Sequence, residues 1–309
     1  MSFNLNVRQS VESSQGIDLV KNTSYGPENK KADVVLLSPH SGNSRQLVER
    51  LSGAFADKPD VLDDYLTIDA DFGADDLAHA IAQEIAVVGG DLRVDVAQVL
   101  YERGIVDPNR VPSVAVRNVL DYGHGGLNKD FLRSIHSRTL EIVEKILGQI
   151  DETKGIFLDI HSMAPYSPVN LIGEQPGRLG AYNYPYRSRS QRGGRRFLDL
   201  ITDIPGQGVI ANPIILENVH AALSDNGHNF RRNNPYPKPG YPAGNIMGIR
   251  YMTKFAGLSV DFPKDQLSKG VAEDDGWDIA NLEVDGNKVE NIVRILAGAV
   301  IQSLKGIRA

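Results

Sequence analysis

A chain of 309 residues with 41% hydrophobic and 23% charged side chains has the composition of a folded globular protein, which excludes collagen-like, low-complexity and wholly disordered architectures. Its 33 basic and 39 acidic residues leave a net charge of −6, so the chain carries no global signature of binding to nucleic acid or an anionic membrane. The absence of cysteine removes disulfides, thiolate nucleophiles and Cys-ligated zinc, leaving His, Asp and Glu as the available metal ligands.

The N-terminal residues contain no basic stretch leading into an apolar segment, and nowhere does an apolar run reach about 18 residues. The expectation is a soluble, cytoplasmic protein. Residues 1–30 are polar and without sustained period, which predicts an arm or an edge strand outside the main core. Residues 31–309 are expected to form a single domain. Its first element is Asp33 to His40, an apolar run closed by Pro39 that reads as a buried strand delivering His40 to the end of a sheet.

Helical periodicity is clearest over Asp75 to Val88, Lys129 to Ile150, and Asn287 to Lys305, where Val289, Ile292, Val293, Leu296, Val300 and Leu304 share a face. Further strands are predicted at Gly155 to His161, near Gly208 to Ala211, and at Gly257 to Phe262, halted by Pro263. Apolar strands alternating with helices give an α/β fold with a mixed, mostly parallel sheet covered on both faces. From about Tyr182 to Tyr251 the chain is rich in Arg, Gly, Pro and Asn, and is expected to be a long loop excursion. The five arginines between Arg187 and Arg196 read as a solvated loop.

Two of the seven histidines stand where an apolar run ends: His40, in Ser38-Pro39-His40-Ser41-Gly42, and His161, in Asp159-Ile160-His161-Ser162. That is where open α/β sheets place ligand-binding groups. Asp159 and His161, two apart on a strand, leave the same face, so Asp159 is placed to orient the ring or to share in the site. His with carboxylates and no Cys is the ligand set of catalytic zinc. The third ligand would then come from Asp69 or Asp71, just ahead of a helix, with Asp71 preferred over a helix-capping role. Arg103, Asn109 and Arg110 form a polar cluster, in which Arg110 is suited to clamp a substrate carboxylate and Asn109 to assist. A base is needed to receive the proton of an activated water, and Asp261, Glu217 and Glu174 are open to that role. The chain contains no G-x-S-x-G, G-x-G-x-x-G, G-x-x-x-x-G-K-[ST] or H-E-x-x-H, which weighs against serine-hydrolase, dinucleotide, P-loop and zincin chemistry.

Taken in order, these segments resemble the N-formylglutamate amidohydrolase family, a branch of the zinc carboxypeptidase and aspartoacylase-like hydrolases. Ser38-Pro39-His40-Ser41-Gly42 is similar to its P-H-S-G, Asp69 to Ala74 to its acidic segment, Val106-Asp107-Pro108-Asn109-Arg110 to its D-x-N-R, and Asp159 to Met163 to its D-x-H-S-M. Asn234-Pro235-Tyr236, with Gly240-Tyr241, resembles its later loop, and Asp261 falls where the family carries an acidic residue, though Asp is one methylene shorter than the family's Glu. The resemblance implies a three-layer α/β/α sandwich and one zinc held by His40, Asp71 and His161. It also implies Arg110 on the substrate carboxylate, Asp261 as general base, and His136, Arg103, Asn109, Asn234 and Tyr236 around the pocket. The expected activity is hydrolysis of the N-acyl amide of a small carboxylate-bearing substrate such as N-formyl-glutamate. The alternatives are a zinc carboxypeptidase or peptidoglycan amidase on the same scaffold, or a binding protein that keeps the fold without the metal.

Overall fold

The computed structural model describes residues 5–51, 59–117, 128–169, 178–204, 208–234, 246–269, 271–272, 276–277 and 282–309. Eight strands form the main sheet: β1 (Val7–Ser14), β2 (Ile17–Tyr25), β3 (Val34–Ser38), β4 (Val94–Val99), β5 (Ile156–Met163), β6 (Leu198–Ile201), β7 (Phe230–Arg232) and β8 (Ala256–Pro263). Every residue of β3 and of β5 is buried, the pattern of strands covered on both faces. Their order across the sheet is β1-β2-β4-β3-β5-β8-β6-β7. The pairs β3/β4, β3/β5, β5/β8 and β6/β7 are parallel, while β1/β2, β2/β4 and β6/β8 are antiparallel. The sheet is therefore mixed and mostly parallel.

The helices are α1 (Gln46–Arg50), α2 (Pro59–Asp69), α3 (Ala74–Gly89), α4 (Lys129–Leu147), α5 (Leu179–Arg187), α6 (Pro213–Asp225), α7 (Ile246–Met252) and α8 (Gly286–Arg308). One layer is made of α3, α6 and α8, with α8 packed on both of the others. The second is made of α4 and α7, tied by an ion pair between Arg250 Nη2 and Glu144 Oε1 at 2.9 Å. These layers on the sheet complete an α/β/α sandwich. Local chemistry fixes the helix starts: Asn128 Oδ1 accepts from Phe131 N at 3.0 Å, Asn212 Oδ1 from Ile214 N at 3.0 Å, and Asp285 Oδ1 from Asn287 N at 3.1 Å. Among the described residues no helix is long and apolar enough to cross a membrane.

Four expectations need correction. Of the segment expected as an arm or an edge strand outside the core, β1 is an edge strand, but β2 pairs with it in an antiparallel hairpin of the main sheet and sends Ile17, Leu19, Val20 and Tyr25 into the core. The polar look comes from β1, which is the outer edge and largely exposed. The strand predicted near Gly208 to Ala211 is a two-residue pairing of Gly208–Val209 with Asp203–Ile204, outside the main sheet; the main-sheet strand of this region is β6. The stretch 182–251 is consequently no loop excursion, since it contains β6, β7, α6 and α7. The Arg187–Arg196 run is also ordered: Arg192–Arg195 pairs with Tyr166–Pro168, and Arg192 and Arg195 lie over the Tyr166 ring.

Asp75, in the first turn of α3, is partly buried and accepts from Gln98 Nε2 at 2.9 Å. Burial, with Asp76 beside it, pushes its carboxyl from 3.8 up to about 6. The folded state therefore holds this proton more tightly than the unfolded chain, and stability is lost as pH rises from about 4 through about 6. Asp75→Asn is expected to raise the melting temperature at pH 8 and to do so less at pH 4. An equal shift at both pH values would contradict the burial argument.

Candidate metal centre

The parallel strands β3, β5 and β8 end at the same edge of the sheet, and their carboxyl ends deliver His40, His161 and Asp261. His161 and Asp261 are direct register partners, as are Asp159 and Ser259 one rung earlier on the same face. On the other side of β8, Asp261 is opposite Asp199 of β6. After β3 the chain turns sharply: a Cβ on Gly42 would stand 2.3 Å from the Tyr101 carbonyl oxygen, so only glycine lets the His40 loop press against the segment that carries Arg103. Gly73, at φ +78°, is the N-cap of α3 and leaves Asp71 without a capping role. Asp71 instead donates its backbone N–H to the His40 carbonyl (3.0 Å) and turns its carboxylate toward the histidines.

One oxygen of Asp71, Oδ2, lies 2.9 Å from His161 Nδ1 and 3.3 Å from His40 Nδ1. The two rings are 4.8 Å apart by centroid. The outer nitrogens are held by further carboxylates: His40 Nε2 is 2.9 Å from Asp107 Oδ1, and His161 Nε2 is 2.9 Å from Asp159 Oδ2, which also accepts from Ser259 Oγ at 2.9 Å. An ionised carboxylate only accepts, so each Nε2 carries hydrogen and each Nδ1 is turned inward. All of these groups are buried.

Asp71 and His161 titrate far from their usual ranges. Burial alone would raise the Asp71 carboxyl, but His40, Arg103 and the bond to His161 outweigh it and hold it well below the ordinary carboxylate range. Burial would lower His161, but Asp159 and Asp71 hold it well above the ordinary imidazole range. An imidazolium between two carboxylates marks a position where a cation is favoured.

His40, Asp71 and His161 supply ligand atoms lying within 4.8 Å of one another. Ligands at zinc distances of about 2.0–2.2 Å in a tetrahedral site stand roughly 3.4 Å apart, close to the 2.9 and 3.3 Å separations here. The donor set, two imidazoles and one carboxylate with a hydrogen-bonded carboxylate behind each imidazole, fits a zinc-like divalent ion. Next to it, Asp261 is buried and its Oδ1 has no hydrogen-bond partner. Burial, with Asp71 and Asp199 adding to it and His161 and Arg196 opposing, pushes this carboxyl up to about 7. Such a group can take or release a proton near neutral pH.

The other candidate residues divide. Arg103 meets three carboxylates: Nη1 donates to Asp71 Oδ1 at 3.0 Å, Nη2 to Asp107 Oδ2 at 3.3 Å, and Nε lies 3.4 Å from Asp69 Oδ2. Arg110 directs Nε to Asp107 Oδ2 at 3.0 Å, so its charge is already met by a carboxylate. Asn109 is buried, 3.5 Å from His161 Nε2, and its Oδ1 accepts from Met247 N at 2.8 Å, which fastens the start of α7. His136 is fully buried in α4, with Nε2 on the Arg110 carbonyl at 2.9 Å. It anchors the loop from the core side of α4. Asn234 is exposed, and its N–H donates to Asp199 Oδ1 at 3.0 Å. Tyr236 and Glu174 lie outside the described residues.

Asp107, Arg117, Asp199 and Lys264 were not singled out by sequence reasoning. Asp107 stood in the D-x-N-R segment and was legible there; the other three carry no local signal. Lys264 is buried, donates to the Ile68 carbonyl at 2.9 Å, and is pushed down to about 8 by burial. Arg117 is buried and grips Asp69 with Nη1 and Nη2 at 2.9 and 3.1 Å.

The sequence matches no protein-family model and no curated protein. Among solved structures the fold is similar to that of a gene product from Agrobacterium tumefaciens, with a TM-score of 0.60 at 17% identity, covering 94% of this chain and 96% of that one. It is also similar to an N-formylglutamate amidohydrolase from Ralstonia eutropha, with a TM-score of 0.55 at 17% identity, covering 93% of this chain and 98% of that one. Similarity at this level shows that the three-layer fold is shared.

Removing Arg117 would leave Asp69 buried beside Asp107 with less cation to balance it, so Arg117→Met is expected to cost about 3–5 kcal/mol in urea unfolding. Adding Asp69→Asn should recover part of that loss. A single-variant cost below about 1 kcal/mol would show that the pair is solvated like a surface ion pair.

Proposed function

We propose that this chain is a zinc-dependent amidohydrolase that cleaves the N-acyl amide bond of a small carboxylate-bearing substrate. The observation that carries this reading is the single Asp71 oxygen flanked by two inward-facing Nδ1 atoms, with the unpartnered Oδ1 of Asp261 on the neighbouring strand. The fold it shares with an N-formylglutamate amidohydrolase supports it, and so does the ordered resemblance of the short motifs. A metal-free binding protein would call for Asp71 turned away from the histidines; it is turned toward both.

His40, Asp71 and His161 would hold the ion, with Asp107 and Asp159 fixing the two rings. When bound, zinc supplies Lewis acidity to a carbonyl and to a water, which it acidifies to a pKa of ~7. Asp261 accepts the water's proton at the carboxylate and returns it to the leaving nitrogen. Its burial suits both halves of that exchange. Arg103, held on Asp71, keeps the carboxylate from rotating.

The purified protein is expected to contain about one zinc per chain, with His161→Ala and Asp71→Ala losing the metal while circular dichroism shows a retained fold. Stoichiometric zinc in both variants would overturn the ligand set. Asp261→Asn should keep the metal and lower kcat on an N-acyl amino acid by about 10²–10⁴, the usual scale for a lost general base. An unchanged kcat would remove Asp261 from the chemistry.

A further inference from the structure

Two arginines are buried among the described residues, Arg117 and Arg196. Their surroundings differ. Arg117 is clamped on Asp69 and lies near Asp107. Arg196, 8% exposed, donates Nε to Ser167 Oγ at 3.1 Å and its backbone N–H to the Pro165 carbonyl at 2.8 Å, and has no ion pair with any described carboxylate. A guanidinium stays ionised at any physiological pH and carries five N–H donors in a fixed plane. Here Nε is engaged, and the terminal nitrogens have no described partner. Those nitrogens are not sealed from solvent, so an incoming carboxylate can reach them and meet the charge in a charge-assisted pair.

The position of Arg196 gives that charge a purpose. Pro165, its backbone partner, follows β5 by two residues, just beyond His161. β6 runs antiparallel to β8 with Asp199 opposite Asp261, so Arg196, three residues before Asp199, stands at the sheet edge where β5 and β8 end. Its charge is felt at Asp261 and at the Tyr186 hydroxyl. Arg110, by contrast, spends its Nε on Asp107.

We propose that Arg196, oriented by Ser167 and left without a protein anion at the mouth of the His40–Asp71–His161 centre, binds the carboxylate of the substrate. The ligand class is a small carboxylic acid gripped bidentately by the terminal guanidinium nitrogens. This assignment rests on reading the centre as an amidohydrolase site, and it moves carboxylate recognition from Arg110 to the Arg-rich ribbon.

The test is calorimetric titration of the purified, zinc-supplied protein with glutarate and with its neutral analogue glutaramide, with N-formyl-glutamate hydrolysis followed in parallel. Wild type should bind glutarate in preference to glutaramide. Arg196→Gln should weaken glutarate about 10- to 100-fold, the scale of a charge-assisted hydrogen bond, leave glutaramide unchanged, and let Arg196→Lys recover part. Because Arg196 makes no ion pair with a described carboxylate, the Gln variant should melt no earlier than wild type. Equal glutarate affinity in wild type and Arg196→Gln, or no preference for glutarate in wild type, would overturn the assignment. Glutarate has no amide to cleave, so Arg196-dependent binding without hydrolysis would reject the amidohydrolase reading and keep the carboxylate site. Undiminished hydrolysis in Arg196→Gln would reject the site and keep the reading.

Discussion

Three carboxylates, Asp69, Asp71 and Asp107, are buried around Arg103, and a protein interior holds such a cluster only where cations are brought to meet it. Arg103 reaches all three, through Nε, Nη1 and Nη2. Arg117 and Arg110 supply the remaining charge, and the His40 ring joins Asp107 to the same network. Everything at the candidate centre depends on this balance. Asp71 gives Oδ1 to Arg103 and so presents Oδ2 to the two imidazoles, which fixes the carboxylate in the orientation that a shared ion requires.

The sheet does the rest of the positioning. Because β3, β5 and β8 are parallel neighbours, their ends converge without long loops, and the alternation of side chains along β5 puts Asp159 and His161 on one face, with Ser259 and Asp261 beside them on β8. Asp159 holds the imidazole from below while Asp261 stands alongside it. The antiparallel insertion of β6 next to β8 then brings Asp199 and Arg196 to the same edge. A residue far along the chain becomes part of the neighbourhood through strand order alone.

Much of the centre was legible from sequence because its strands are short apolar runs that end in a histidine or an aspartate. Val34 to Ser38 and Ile156 to His161 are buried throughout, and the helix periods of α3, α4 and α8 are visible by the same apolar spacing. What escaped detection did so for physical reasons. β4 carries a buried Asp95 whose charge is met by Arg93 at 2.8 Å, a pairing that breaks the apolar run. β2 shows only three apolar positions before Tyr25 and looks polar until its partners cover it. The carboxylates that Arg103 and Arg110 meet were not legible, because a sequence shows that an arginine is present but not which carboxylate folding brings to it. Arg196 was hidden in a run that composition alone reads as solvated.

X-ray absorption spectroscopy at the zinc edge of the reconstituted protein tests the central claim most directly, since it reads the ligands without relying on turnover. Four light-atom neighbours at about 2.0–2.2 Å, with the outer-ring scattering of two imidazoles, are the predicted result. A spectrum lacking imidazole scattering, as from an ion held by carboxylates and water, would contradict it.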